Sequence, residues 1–145
     1  MTRFGVSRSW HAARRVRLAL VALGGAWHAG CGPVQAEAVE EKRVPAGDAA
    51  RGRALVESGA YGCTSCHAIP GVRAPRGVVG PPLGGMARRA FVAGQLPNEP
   101  DVLVAFLQDP PALVPGTGMP DVRLGLDDAR HVAAYLYTLE PDDAP

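Results

Sequence analysis

Cys63, Cys66 and His67 stand together in "YGCTSCHAIPG", residues 61–71, and a Cys-x-x-Cys-His run can do three kinds of chemistry. It can be a dithiol redox pair, half of a zinc site, or a covalent anchor for haem. A structural zinc site takes four ligands. Outside the run the chain offers only Cys31, His11, His28 and His131, and the first three fall in a segment that reads as a leader. Zinc therefore fails on ligand count. A thioredoxin-like pair follows a buried strand in a βαβ unit, whereas residues 45–62 carry helix-forming Ala, Arg, Leu and Glu with several glycines. The third chemistry fits the local spacing: residues three apart share a helix face, so both sulfurs can add to the vinyl groups of one porphyrin while the adjacent imidazole reaches the iron. The motif is the attachment signature of a c-type haem, which makes Cys63 and Cys66 the expected anchors and His67 an expected iron ligand.

The compartment follows from residues 1–36. Arg3, Arg8, Arg14, Arg15 and Arg17 precede the apolar run "LALVALGGAW", with small residues after it, the pattern of an export signal. The run is shorter than the roughly 20 apolar residues of a membrane span. Two processing sites compete: cleavage after Ala36, which is preferred, and lipidation at Cys31 in "HAGC". Either removes or caps the third cysteine. The expected location is the periplasm or the outer face of a bacterial inner membrane.

From Glu37 onward ten basic residues face fourteen acidic ones, a formal charge of −4. Nucleic acid is excluded as a partner on that balance. One lysine, Lys42, remains beyond the leader, so docking through a ring of lysines is excluded too. The expected contact face is mixed or apolar, with Val72, Val78, Val79 and Pro120 near it and Arg73, Arg76, Arg88 and Arg89 in the neighbouring loops.

The elements that must hold the motif divide the chain into a leader (1–36), a linker (37–45), one domain (46–140) and a short tail (141–145). Gly and Pro supply 26 of the 109 residues after the leader, near the level at which composition alone suggests disorder. A buried cofactor answers this: covering about 400 Å² of apolar surface contributes on the order of 10 kcal/mol. Helices are expected over 47–58, capped by Asp48 with Gly52 inside; over 99–109, stopped by Pro110; and over 126–140, opened by Asp127 and Asp128. The last carries Ala129, Val132, Ala133, Tyr135 and Leu136 on or beside an apolar stripe. His131 falls off that stripe and is expected at the surface.

A second axial ligand comes from Met86 or Met119. Met86, in "LGGMARRAF", reads as an apolar contact. Met119 lies in "DPPALVPGTGMPD", a loop stiffened by proline and glycine that could hold a thioether against iron.

These segments together resemble a class I cytochrome c. "GDAARGRALV" is similar to that family's N-terminal helix, "CTSCH" to its attachment motif, "GPPL" to its proline loop, "PGTGM" to its methionine loop and "ARHVAAYLYTL" to its closing helix. The resemblance implies an all-α cytochrome c fold, with three or more short helices and long loops around one haem. It implies His67 and Met119 as axial ligands, Cys63 and Cys66 as thioether anchors, the Pro81 carbonyl as acceptor for His67 Nδ1, Thr117 near a propionate, and Gly52 as the point where the first and last helices cross. Two departures stand out. Phe106 replaces a tyrosine often found near the methionine sulfur, and both tryptophans, Trp10 and Trp27, fall in the leader, leaving Arg88, Arg89 and Gln95 as replacement propionate donors. Residues 62–98 further resemble the cytochrome domain fused to subunit II of some haem-copper oxidases. The implied function is one-electron transfer, not catalysis, by a monomer with redox partners such as a quinol-oxidising complex or terminal oxidase. The alternative is a haem sensor with a labile methionine.

Overall fold

The structure is a computed structural model that describes residues 42–73 and 77–141. The expected leader with Cys31, His11, His28, Trp10 and Trp27, the start of the linker, Arg76 and most of the tail lie outside the described residues.

Helix α1 (Ala49–Glu57) begins where the Asp48 carboxylate accepts from the N–H groups of Ala50 and Arg51, satisfying two of the donors a helix start leaves open. A single turn, α2 (Cys63–Cys66), is entered through Gly62 at a φ of 65°. A 3-10 turn, Met86–Arg88, precedes two strands, β1 (Phe91–Val92) and β2 (Leu96–Pro97), paired antiparallel with Phe91 opposite Pro97. Then come α3 (Pro100–Gln108), α4 (Pro110–Leu113) and α5 (Leu126–Tyr137). Among the described residues no helix is long and apolar enough to cross a membrane.

The three expected helices are present with trimmed ends, but the all-α expectation needs correcting for the β1–β2 hairpin. Its turn carries Ala93 at φ 49° and Gly94 at φ 71°, with the Gln95 N–H donated to the Val92 carbonyl. Two successive positive φ values make a type I′ turn. Ala-Gly is a weak sequence signal for one, and two-residue strands are too short to display alternation. Pro110 ends α3 as expected and also opens α4, whose first turn is capped by Asp109 accepting from Ala112 N–H at 3.1 Å.

Helix α1 crosses α5 at Gly52, where a Cβ would sit 1.9 Å from the His131 carbonyl oxygen and 2.9 Å from Tyr135 Cβ. Helix α3 packs on α5 as well. Leu103, Phe106 and Leu107 of α3 join Val132, Ala133 and Leu136 of α5 and Val56 of α1 in one core. His131 departs from its expected surface position. It is buried, and its Nδ1 accepts from the Asp48 N–H at 3.0 Å. The apolar stripe missed it because α1 covers α5 through a glycine, which brings backbone rather than a side chain onto that side. Residues 42–45 also pack on the domain: Val44 is in the core, and Lys42 donates to the Asn98 carbonyl and lies over the Tyr137 ring.

Candidate functional site

A cavity of about 390 Å³ opens between these elements, a size typical of small-molecule and cofactor pockets. Its walls come from Cys63 and Cys66 of α2, His67, the loop Val79–Leu83, Met86, Phe91–Ala93 of the hairpin, Leu103, Phe106 and Leu107 of α3, the loop Thr117–Pro120, and Val132 and Leu136 of α5. All six residues nominated from sequence, Cys63, Cys66, His67, Pro81, Thr117 and Met119, line this one space.

His67 ends the α2 turn with extended backbone, φ −112° and ψ 139°. Its Nδ1 lies 2.7 Å from the Pro81 carbonyl oxygen. A carbonyl can only accept, so Nδ1 carries the proton and Nε2 keeps a free lone pair. The loop that supplies Pro81 is zipped onto α2 by Gly77 N–H to Thr64 O (3.1 Å), Gly80 N–H to Cys66 O (2.8 Å) and Leu83 N–H to Ala68 O (2.9 Å). This closeness demands glycine. A Cβ on Gly80 would lie 2.4 Å from His67 Cε1, and one on Gly77 would lie 2.3 Å from the Cys66 carbonyl carbon. Neither requirement was visible in the sequence, where both glycines read as loop punctuation.

Cys63 and Cys66 form no disulfide with each other. Burial pushes the Cys63 thiol up from its ordinary value, opposite to the lowered value of a reactive redox cysteine. The sheet among the described residues is one antiparallel pair, not the βαβ unit such a pair needs. The dithiol reading therefore lacks both activation and scaffold.

Met119 is half-buried, and its N–H donates to Thr117 Oγ1 at 3.3 Å. The loop before it is bent by Gly116 at φ 86° and by Thr117 N–H donating to Val114 O at 3.0 Å. Met86 lines the same cavity but is buried within the core cluster. Of the three candidate propionate donors, Arg89 alone lines the cavity. Arg88 pairs with Glu140 at 3.2 Å, and Gln95 sits exposed in the hairpin turn.

Sequence reasoning passed over Asn98. In "LPNEP" it reads as a loop residue ahead of a helix, yet it is almost wholly buried. Its neighbour Tyr137 donates to Asn98 Oδ1 at 2.9 Å, and burial raises the Tyr137 hydroxyl far above its ordinary range.

The donor set suits an iron porphyrin: two sulfurs on one turn, an imidazole whose other nitrogen is already committed, a thioether, and walls made mostly of aliphatic and aromatic carbon. No family model matches the chain, and no solved structure matches it. The chain is 36% identical over 105 residues to a cytochrome c of Tetrahymena pyriformis, an alignment covering 66% of this chain and 93% of that protein.

Proposed function

The chain belongs to the cytochrome c family and is an electron-transfer protein, not an enzyme, and from that premise we propose that it carries one covalently attached haem c and shuttles single electrons in a respiratory chain outside the cytoplasm. The observation that carries this reading is the His67 Nδ1 hydrogen bond to Pro81 O, made on the wall of the cavity that Cys63 and Cys66 also line. Bound there, the haem iron supplies a one-electron couple between ferrous and ferric states.

The chain's own residues set the terms of that couple. Cys63 and Cys66 would hold the haem through thioethers, each S–H being consumed at one vinyl group. His67 Nε2 and the Met119 sulfur would be the protein groups that hold the iron. The Pro81 carbonyl fixes the imidazole ring and strengthens it as a donor. The soft thioether favours ferrous iron. Thr117 and Arg89 line the cavity and would be donors to a propionate, and the apolar walls would exclude water from the haem.

The partners we propose are redox proteins, such as a quinol-oxidising complex or a terminal oxidase. This follows from the resemblance of residues 62–98 to cytochrome domains fused to oxidase subunit II. The carrier is a monomer in the periplasm, or anchored to the outer face of the inner membrane through Cys31. The test is the reduced spectrum of the purified mature protein in alkaline pyridine. A c-type band with no titratable thiol is expected, and absence of that band overturns the reading.

A further inference from the structure

We propose that Asn98 is a positioning residue for the His67 imidazole, acting from the far side of the proline loop through Arg89. The proposal rests on the cytochrome c reading and extends it to a residue that touches neither the imidazole nor the cavity.

Asn98 connects β2 to α3 and is 1% exposed. Its amide nitrogen donates to Met86 O and to Arg89 O, both at 2.8 Å, clamping the two ends of the turn that separates the proline loop from the hairpin. Its Oδ1 accepts from the Tyr137 hydroxyl of α5 at 2.9 Å. Its own N–H donates to Ala90 O at 3.0 Å, and its carbonyl accepts from the Lys42 ammonium. Every polar atom of the residue is engaged, which is the condition for a buried polar side chain to specify a single arrangement rather than loosen one.

Arg89, whose carbonyl Asn98 holds, reaches back with its guanidinium to the carbonyls of Pro82 and Gly84. Pro82 is bonded directly to Pro81, the acceptor of the His67 Nδ1 proton. Two consecutive prolines have fixed φ and cannot swivel independently. The path to the imidazole therefore runs from Asn98 through Arg89 and the Pro81–Pro82 pair to His67. Removing the Asn98 amide leaves the Arg89 carbonyl without its donor and the Met86 carbonyl with only the Arg89 N–H at 3.2 Å, which frees the turn and loosens the strap on the proline loop. A weaker Pro81 acceptor makes His67 a weaker donor to ferric iron and raises the reduction potential.

The experiment uses the full haem-loaded chain carrying Asn98→Ala, Asn98→Ser or Tyr137→Phe. None of these changes the net charge. The pyridine spectrum is recorded first, then the reduction potential and the solvent exchange of the His67 Nδ1 proton in the ferrous form by NMR. For Asn98→Ala the ferrous-to-ferric ratio at fixed ambient potential rises about tenfold, or 59 mV for one electron, and the Nδ1 proton exchanges faster. Asn98→Ser, which restores one donor, falls between alanine and the parent. Tyr137→Phe keeps both amide donors and lowers stability with both readouts unmoved. A normal haem band with a lowered denaturation midpoint but a ratio within about twofold of the parent and unchanged exchange assigns Asn98 a packing role only and overturns the proposal. If Asn98→Ala does not accumulate, the same result in Asn98→Ser overturns it equally. Loss of the haem band from the parent protein itself overturns the cytochrome reading, and this inference with it.

Discussion

At the scale of single residues, two methionines line one cavity and only their surroundings distinguish them. Met86 is part of the core cluster, while Met119 sits half-buried on a loop whose turn is built by Gly116 and Thr117. Met119→Ala is expected to leave haem attached, to abolish the weak near-infrared band of Met sulfur on ferric iron, and to lower the reduction potential, because the ligand that favours ferrous iron is gone. Met86→Ala is expected to keep that band and to lose about 2–5 kcal/mol of stability, as large-to-small changes in a packed core do. The opposite pattern in the two ferric spectra would exchange the assignments. Gly80 is as tightly constrained as any ligand, since a methyl there would overlap the His67 ring.

At the scale of elements, caps and turns carry measurable energy. Asp48 accepts two backbone N–H groups at the start of α1, and Asp48→Ala is expected to cost about 1 kcal/mol. Ala93 holds a left-handed conformation at φ 49°, where an L-residue with a Cβ is strained by about 1–2 kcal/mol. Ala93→Gly is therefore expected to raise the urea midpoint of the haem-loaded protein while Asp48→Ala lowers it. The helices were legible because their signals are local: Asp48 as a cap, Pro110 as a stop, an apolar stripe on α5. Two of the segments that line the cavity were legible for the same reason, as "CTSCH" and "PGTGM" announce themselves within a few residues. The hairpin was not, because Ala93-Gly94 lacks the usual Asn or Asp. His131 and Asn98 were not, because the group that buries each of them comes from a distant segment: the Asp48 N–H for one, Tyr137 for the other. Nothing in the sequence around Lys42 and Val44 shows the Tyr137 ring or the core they rest on.

At the scale of the whole molecule, charge and exposure decide how it meets a partner. Val78 is 91% and Val79 83% exposed, with Phe91 also large and open, and Val79 and Phe91 lie at the cavity wall. Pro120 is exposed beside them, whereas Val72, expected on this face, packs against the core. Several cations among the described residues are engaged elsewhere: Lys42 on Asn98 and Tyr137, Arg88 on Glu140, Arg89 on the proline-loop carbonyls, while Arg73 is exposed. Weak encounters steered by charge lose rate steeply with salt. This face is expected to behave otherwise. Between about 10 mM and 500 mM ionic strength, over which the screening length falls from about 30 Å to under 5 Å, the second-order rate with the physiological redox partner is expected to change only a few fold. A fall of two decades in stopped-flow would show that complementary charge governs docking.

The crossing at Gly52 also sets an order in time. A polypeptide emerges N-terminus first, so α1 and the cysteine turn are made long before Leu126–Tyr137, and Gly52 has no backbone to lie against until that final helix is complete. Until then the cavity lacks the wall that Val132 and Leu136 supply. Helix α5 is thus the latch: Gly52 and the His131 carbonyl it lies against stand far apart along the chain, and the contact closes only when both are present.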